Sequence, residues 1–225
     1  MFSKFAVVAP VLLCAMASGA VTYQTQSRVV SVSTTFDNGT QSASAPDFNP
    51  FVQTVSLATP FPTSTGVAIN RAVAGIDCHL DPNKIRVVGA LAAAGGLSSV
   101  DGHENEEIGD AISIVNVSFH LDANSPFSLI ASARPIGNPK DKFKIKLSGP
   151  SGGAIVFFFD EKSPAQDVNL TGVLLAGNYS LEFETELSAG NGDRSADYGL
   201  SLEIPAPSSI FPALGMGLLA CRRRR

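Results

Sequence analysis

Five carboxylates crowd into ten positions near the middle of the chain, and this is the set of side chains best suited to metal chemistry. They are Asp101, Glu104, Glu106, Glu107 and Asp110. Hard cations such as calcium need several convergent oxygen ligands, and loops at the ends of β-sandwiches can supply them. Because the spacing matches no EF-hand loop, a solvated acidic loop is the alternative to a calcium site. No other cofactor is expected.

Two short motifs resemble catalytic sites, but neither has the context that its chemistry needs. Residues 149–153 match the nucleophile-elbow pattern GxSxG, which requires a turn from a strand into a helix. Strand-like residues stand on both sides of this motif, so we expect a hairpin turn around Ser151. His103 and Glu104 begin an HExxH zinc pattern, yet Glu107 occupies the position of the second histidine. The sequence therefore predicts no catalytic residue and a protein that is not an enzyme.

Alternation of apolar and polar residues with a period of two runs through the second half of the chain and indicates β-strands. The clearest segments are residues 115–121, 127–134, 143–147, 179–186 and 200–204. Turns rich in Gly, Pro and Asn separate them at short intervals, as in antiparallel sandwiches and jelly rolls. The predicted fold is therefore all-β, with an antiparallel β-sandwich or jelly-roll-like body.

Two segments have a less regular pattern. Residues 154–159 are apolar on both faces, which predicts a central strand that is covered on both sides. Residues 88–97 are rich in alanine but are interrupted by Gly89, Gly95 and Gly96. We interpret this second segment as a strand followed by a loop.

Two charge ladders follow the predicted strands. They are Lys142, Lys144 and Lys146 on one strand, and Glu182, Glu184 and Glu186 on another. Residues two apart on a strand lie about 6.6–6.8 Å apart on one face. If the two strands are neighbours, these charges pair across the sheet, each pair contributing about 0.2–1 kcal/mol. Charged outer faces would also discourage edge-to-edge association.

The beginning of the chain has the pattern of a secretory signal peptide. Residues 1–4 are short and positive, residues 5–17 are apolar, and residues 18–20 are small. These are the three regions of such a peptide, with cleavage expected after Ala20. The sequence therefore predicts an N-terminal signal helix and an exported protein.

The end of the chain has the pattern of a membrane stop. An apolar stretch over residues 210–221 precedes four arginines, Arg222, Arg223, Arg224 and Arg225. As a helix, residues 204–221 would be about 27 Å long, near the minimum that spans a bilayer. Because arginines stay on the cytoplasmic side, the predicted C-terminal transmembrane helix would hold the exported protein in the membrane.

Composition excludes several classes of partner. Lys4 and the four terminal arginines supply five of the 16 basic residues, so the body carries 11 basic and 20 acidic residues, a net charge of −9. Such a surface repels nucleic acids and anionic lipid headgroups. Only Cys78 of the three cysteines lies in the body, so no disulfide is expected within it. With no Trp and three Tyr, an aromatic sugar platform is disfavoured, whereas polar or calcium-mediated glycan recognition is not.

The C-terminal segment resembles the PEP-CTERM sorting signal of bacterial surface proteins. That signal combines a Pro-Glu-Pro-like motif, one membrane-spanning stretch and terminal arginines. Pro205, Ala206 and Pro207 occupy the motif positions, and Ala206 replaces the usual glutamate, as in a variant that looks like planctomycete-type secreted proteins. The resemblance implies processing by an exosortase-type enzyme. The mature protein would then join the cell surface or an exopolysaccharide-rich extracellular matrix.

These observations divide the chain into four segments. They are the signal peptide 1–20, a partly irregular β-rich segment 21–100, a β-sandwich domain 101–204 that either stands alone or forms one body with 21–100, and the sorting segment 205–225. We expect a non-catalytic cell-surface or extracellular-matrix protein whose partners include exopolysaccharide or other surface proteins, but no nucleic acid. The alternative is a calcium-dependent or polar carbohydrate-binding module.

Overall fold

The structure is a computed structural model, and it describes residues 21–100, 103–134, 141–160, 166–190 and 192–205. Within these ranges the chain forms strands, turns and irregular segments. No helix in the described part is long and apolar enough to cross a membrane. The predicted signal helix lies outside the described residues, as does the predicted transmembrane helix apart from Ile204 and Pro205.

Thirteen strands can be traced in the described residues. In chain order they are β1 (Val21–Thr34), β2 (Gly39–Ser44), β3 (Phe51–Thr63), β4 (Gly66–Asp81), β5 (Lys84–Val100), β6 (His103–Glu107), β7 (Gly109–Leu121), β8 (Ser125–Arg134), β9 (Lys142–Ser148), β10 (Ala154–Asp160), β11 (Gln166–Leu174), β12 (Gly177–Ala189) and β13 (Gly192–Glu203). Sheet A has the order β10-β9-β12-β7-β1-β2, and sheet B has the order β11-β8-β13-β5-β4-β3, with β6 paired to β5. All the pairings are antiparallel, which confirms the all-β prediction.

The two sheets turn their apolar faces toward each other and enclose one core, as in a β-sandwich. Period-two alternation sends every second side chain of a strand inward. Val115 and Phe183 enter the core from sheet A, and Leu129 and Tyr198 enter it from sheet B. The rings of Phe183 and Tyr198 meet with their centroids 5.7 Å apart. Strands from both halves of the chain share each sheet, since β1 pairs with β7 and β5 pairs with β13.

A close approach between strands explains why position 89 of β5 is a glycine. Tyr198 lies opposite Gly89, and its hydroxyl donates a hydrogen bond of 2.7 Å to the carbonyl oxygen of Gly75 on β4. A Cβ atom at position 89 would lie 2.2 Å from both oxygens of this hydrogen bond. The prediction of a loop within residues 88–97 is therefore wrong. β5 continues to Val100, and Gly89 lies within the strand because the close packing there leaves no room for a side chain.

The position predicted for residues 154–159 is also wrong. β10 lies at the edge of sheet A and pairs with β9 alone among the described strands. Ile155 at its start is 46% exposed. An apolar run indicates a tendency toward burial but does not specify which strands lie beside it, and here the chain places it outermost.

Two buried charged side chains, those of Asp141 and Arg28, connect separate parts of the sandwich. The fully buried carboxylate of Asp141 accepts two hydrogen bonds from Arg194 on β13, at 3.0 and 2.6 Å, and one from the backbone N–H of Ser188 on β12, at 3.1 Å. This pair joins the end of sheet A to sheet B. Arg28 is also fully buried, and among its partners is the carbonyl oxygen of Asn49, at 2.9 Å, in the connection between β2 and β3.

Candidate functional site

The outer face of sheet A carries a groove of about 590 Å³, here called the sheet A groove. It lies across β1, β7 and β12 and reaches Lys144 on β9. Its polar lining includes Ser27, Asn116, Ser118, Ser180, Glu182 and Glu184. Hydroxyl, amide and carboxylate groups therefore line the groove together with apolar groups, and none of its lining residues is aromatic.

Strand register brings these side chains together. Asn116 on β7 lies between Ser27 on β1 and Glu182 on β12, each directly opposite it. In the next outward-facing row, Ile114 lies opposite Glu184. Each of these residues is an outward position of an alternating strand, so its neighbours along the chain face the core. The groove is thus built from three strands that are distant in sequence.

Several polar groups in the sheet A groove are not engaged with the protein. The hydroxyls of Thr25 and Ser118 bond to each other across the strands. By contrast, within the described ranges the side chains of Asn116, Ser180 and Glu184 make no hydrogen bond or ion pair. Their donors and acceptors face solvent and are available to a ligand.

The lysine and glutamate ladders meet across β9 and β12, which confirms the predicted pairing. Lys142 pairs with Glu186, and Lys144 lies 2.9 Å from the nearer Glu182 oxygen. The hydrogen bond from Lys144 is the main cause that lowers the pKa of Glu182, despite an opposing effect of burial. Glu182 is therefore held as a carboxylate at the wall of the groove.

Two smaller depressions lie on the same outer face as the sheet A groove, toward the two ends of β12. One, of about 410 Å³, shares Ser118 and Ser180 with the groove and extends to Asn178. The other, of about 300 Å³, is lined by Glu186 and Ser188, among others. From Asn178 to Ser188 the chain of β12 runs about 34 Å, at about 3.4 Å per residue. The outer face of sheet A thus has an elongated row of depressions with polar side chains rather than one compact pocket.

His120 lies beside the first of these depressions, on the solvent-facing side of β7. It is half-buried, and its Nδ1 lies 2.7 Å from Oδ1 of Asn178. Gln24 donates a hydrogen bond of 3.2 Å to the same oxygen. Asp122 lies 3.4 Å from the other ring nitrogen. These contacts form a polar rim at this end of the surface.

Of the five predicted calcium ligands, the structure describes the side chain of Asp110 alone, and that carboxylate belongs to no group of potential metal ligands among the described residues. Asp110, on β7, accepts a hydrogen bond of 2.6 Å from the hydroxyl of Ser188. Asp101 lies outside the described residues, as do the side chains of Glu104, Glu106 and Glu107. Across the described part of the chain, no three His, Cys, Asp or Glu side chains are grouped closely enough to hold a metal ion. The calcium site stays a prediction.

The serine motif at residues 149–153 is the hairpin turn that its context predicted. It joins β9 to β10, and the backbone N–H of Gly149 donates to the carbonyl of Gly153 at 3.0 Å. Gly152 has a φ of 76°, a conformation that favours glycine. Ser151 is exposed at the tip of this turn, with no helix behind it.

The predicted sorting signal is described only at its first residue. Pro205 is exposed and follows Ile204, whose N–H donates a hydrogen bond of 2.8 Å to the carbonyl of Asn83. Ala206, Pro207 and the four terminal arginines lie outside the described residues. The sandwich therefore ends immediately before the motif.

The residues of the sheet A groove carry no sequence motif that would have identified them. Asn116, Ser180 and Glu184 are ordinary outward residues of alternating strands. The alternation predicts that each faces solvent, but their proximity depends on the pairing of β7 with β12. A long-range pairing of this kind has no local signal.

No family model and no curated protein matches this chain. Among solved structures, it is similar to that of the infectious bursal disease virus Gx strain, at 12% identity over 91% of this chain and 60% of that one, with a TM-score of 0.27. An arabinose-bound α-L-arabinofuranosidase is 11% identical over 70% of this chain and 27% of that one, with a TM-score of 0.24. The C-terminal CBM6 of a marine laminarinase from Zobellia galactanivorans is 10% identical over 67% of this chain and 99% of that one, with a TM-score of 0.23. The chain thus spans less than two thirds of the first two proteins, and similarities this weak support no assignment of function.

Proposed function

We propose that this chain is an exported, non-catalytic β-sandwich protein of the cell surface or extracellular matrix, and that it binds polysaccharide in the sheet A groove. One observation carries the binding proposal. The groove, of about 590 Å³, is open to solvent, and three of its polar side chains, those of Asn116, Ser180 and Glu184, make no hydrogen bond or ion pair within the described residues. Small-molecule sites of this size orient their ligands through a few well-placed polar groups.

The lining suits sugar hydroxyls. Asn116 offers both an amide donor and an amide acceptor, Ser180 offers a hydroxyl, and Glu184 offers acceptors only. A sugar hydroxyl is both donor and acceptor, so it can bond to each of these groups. Ile114, half-buried in the floor of the groove, provides an apolar contact for the C–H groups of a sugar ring.

The elongated surface suits a chain of sugars better than a single one. The two smaller depressions on the same face as the sheet A groove extend the polar surface along β12. A linear polysaccharide lying parallel to this strand would contact all three. Its binding energy would then be spread over many weak hydrogen bonds, each contributing about 0.5–1.5 kcal/mol.

The lowered pKa of the Glu182 carboxyl favours binding over hydrolysis as the function of the groove. Glycoside hydrolases typically need a carboxylic acid with a raised pKa to protonate the leaving oxygen. The pKa of Glu182 is lowered instead, chiefly by its hydrogen bond from Lys144. A carboxylate that is held in its ionised form in this way is suited to accept hydrogen bonds from a ligand and not to donate a proton.

Export and sorting form the second part of the proposal, and they are supported by the chain ends alone. Residues 1–20 would direct export, and residues 205–225 would hold the protein in the membrane until an exosortase-type enzyme processes it. Mass spectrometry of the C-terminus of the protein from its native cells tests this part. We expect a mature chain that lacks Arg222–Arg225, and an intact arginine cluster would contradict the sorting proposal.

Affinity electrophoresis of the full-length chain through gels containing neutral polysaccharides tests the binding part. We expect retardation by at least one of them, and about three- to tenfold weaker binding by Asn116→Ala, which removes groove hydrogen bonds. Asn169→Ala is the matched control, because Asn169 is equally an exposed strand residue but lies on β11 of sheet B. Retardation should persist in EDTA, which separates groove binding from calcium-dependent recognition.

Two results would overturn the binding proposal. The first is that no polysaccharide retards the wild-type chain. The second is that Asn116→Ala and Asn169→Ala weaken binding equally, since that would place the ligand elsewhere than on sheet A.

A further inference from the structure

One carboxylate of the sheet A groove, that of Glu184, makes no ion pair within the described residues. Three glutamates of β12 face three lysines of β9, but the pairing is unequal. Glu182 has two lysine neighbours, Lys144 at 2.9 Å and Lys146 at 3.7 Å. The third lysine of the ladder pairs with Glu186. Glu184 is therefore left without an ion-pair partner within the described residues.

The register makes this arrangement unexpected. Lys144 lies directly opposite Glu184, yet its ammonium group reaches diagonally to Glu182. Moving the ammonium across to Glu184 would remove the contact that chiefly lowers the pKa of Glu182. Each lysine of β9 thus already pairs with Glu182 or Glu186, so a cation that pairs with Glu184 must come from outside the lysine ladder.

Glu184 lies where a ligand would meet it. It is half-buried in the lining of the groove, and Ile114 stands opposite it on β7. An apolar neighbour limits the water around a carboxylate, which makes a charge-assisted hydrogen bond at that position stronger than one in open solvent. Asn116, in the adjoining row, and Ser180, one row beyond it, make no hydrogen bond within the described residues and can bind hydroxyls.

We propose, as an extension of the polysaccharide-binding function proposed above, that the bound polysaccharide contains amino sugars with free amines and that one ammonium group binds Glu184. An ammonium group is a donor only, which complements a carboxylate that is an acceptor only. The net charge of −9 on the body favours a cationic polymer and repels polysaccharides that carry carboxylate or sulfate.

Isothermal titration calorimetry on the full-length chain tests this inference. The probes are a glucosamine hexamer, its fully N-acetylated counterpart and an oligolysine of equal charge, in weakly acidic buffer of low ionic strength. We expect the glucosamine hexamer to bind about tenfold more tightly than the acetylated one, because acetylation removes the charge-assisted hydrogen bond. We expect Glu184→Gln to abolish that difference.

Asp197→Asn is the matched control, since it removes the same charge from an exposed residue of β13 on sheet B. It should leave the preference for the free amine unchanged. An equal loss in both variants would contradict the assignment to Glu184, because the effect would then be one of overall charge. Oligolysine binding as tightly as the glucosamine hexamer would also overturn the inference, since the site would not recognise a sugar.

The remaining outcomes separate this inference from the function on which it rests. Equal binding of the two hexamers would overturn the amine preference and leave polysaccharide binding standing. No binding of either hexamer, with retardation by another neutral polysaccharide, would again overturn the amine preference alone. Failure to bind any sugar would overturn both.

Discussion

The outer faces of the two sheets differ, although both come from strands with the same period-two pattern. On sheet A, long polar side chains rise on β9 and β12 and border a groove of about 590 Å³. On sheet B, the corresponding central positions hold small residues, among them Gly75, Ala90 and Gly199. The depressions there are smaller, at about 360 Å³ beside Arg71 and Ala92 and about 240 Å³ beside Val88 and Ile130.

The difference shows that alternation decides which side chains face solvent. The size of those side chains, and the hydrogen bonds and ion pairs they already make, decide whether the surface can bind a ligand. On sheet B, two ion pairs lie at the rim of the outer face, Lys84 with Glu203 at 2.6 Å and Arg134 with Asp167. On sheet A, Asn116 at the centre of the face makes no side-chain hydrogen bond within the described residues. We therefore expect substitutions on sheet A to change binding, and most of those on sheet B to change stability or nothing.

The largest effect is expected where the two sheets are joined. Asp141→Asn should lower the free energy of unfolding by about 3 kcal/mol, because it leaves the largely buried guanidinium of Arg194 without its carboxylate. Urea denaturation measures this change. Asp167→Asn, which breaks the exposed pair with Arg134, is the control and should cost about 0.5 kcal/mol or less. Similar losses in the two variants would show that burial does not distinguish these pairs.

A smaller effect is expected on the inner face of sheet B. Gly89→Ala should destabilise the fold by about 2 kcal/mol, since the new methyl group would collide with the hydrogen bond between Tyr198 and Gly75. Thermal or urea unfolding measures it. Gly153→Ala is the control, because a Cβ atom there has no contact closer than 3.8 Å. An unchanged stability for Gly89→Ala would contradict the close packing described for β5.

The smallest effect is expected on the outer face of sheet A and depends on pH. The pKa of Glu182 is lowered from 4.5 in the folded state, chiefly by Lys144. The resulting stabilisation is present above pH 4.5 and is lost as the pH falls through the folded-state pKa. Glu182→Gln should therefore cost about 0.5 kcal/mol at neutral pH and nothing in acid.

Urea unfolding of the wild type and of Glu182→Gln, at neutral pH and well below pH 4.5, checks this prediction. Glu184→Gln is the matched control, because it removes a charge from the same strand without breaking an ion pair among the described residues. A cost for Glu182→Gln that does not change with pH would contradict the role given to its ionised form.

The alternating strands could be predicted because each carries its own evidence. The polar residues of β7, β9 and β12 fall on every second position, and the opposite charges on β9 and β12 indicated that these residues would pair if the two strands were neighbours. The extent of β5 could not be predicted, because Gly89 looks like a strand breaker until Tyr198 is placed beside it. That pairing joins residues more than a hundred positions apart.

The candidate site was predicted less well than the fold. The acidic residues 101–110 have the composition of a ligand site, but of the five predicted ligands only the side chain of Asp110 lies in the described part of the chain. Asn116 and Ser180 have no distinctive chemistry of their own, and they become a candidate site only through the register of β7 and β12. Short-range patterns cannot show a groove that three distant strands assemble.

An NMR titration tests the central contrast between the two faces most directly. The full-length chain, labelled with ¹⁵N, is titrated with an oligosaccharide of a polysaccharide that retards it in gels, and the backbone amide shifts are mapped. We predict the largest shifts at Asn116, Ser180 and Glu184 on the outer face of sheet A. Shifts centred on Ala90 and Gly199 on sheet B, or none on either face, would contradict the account.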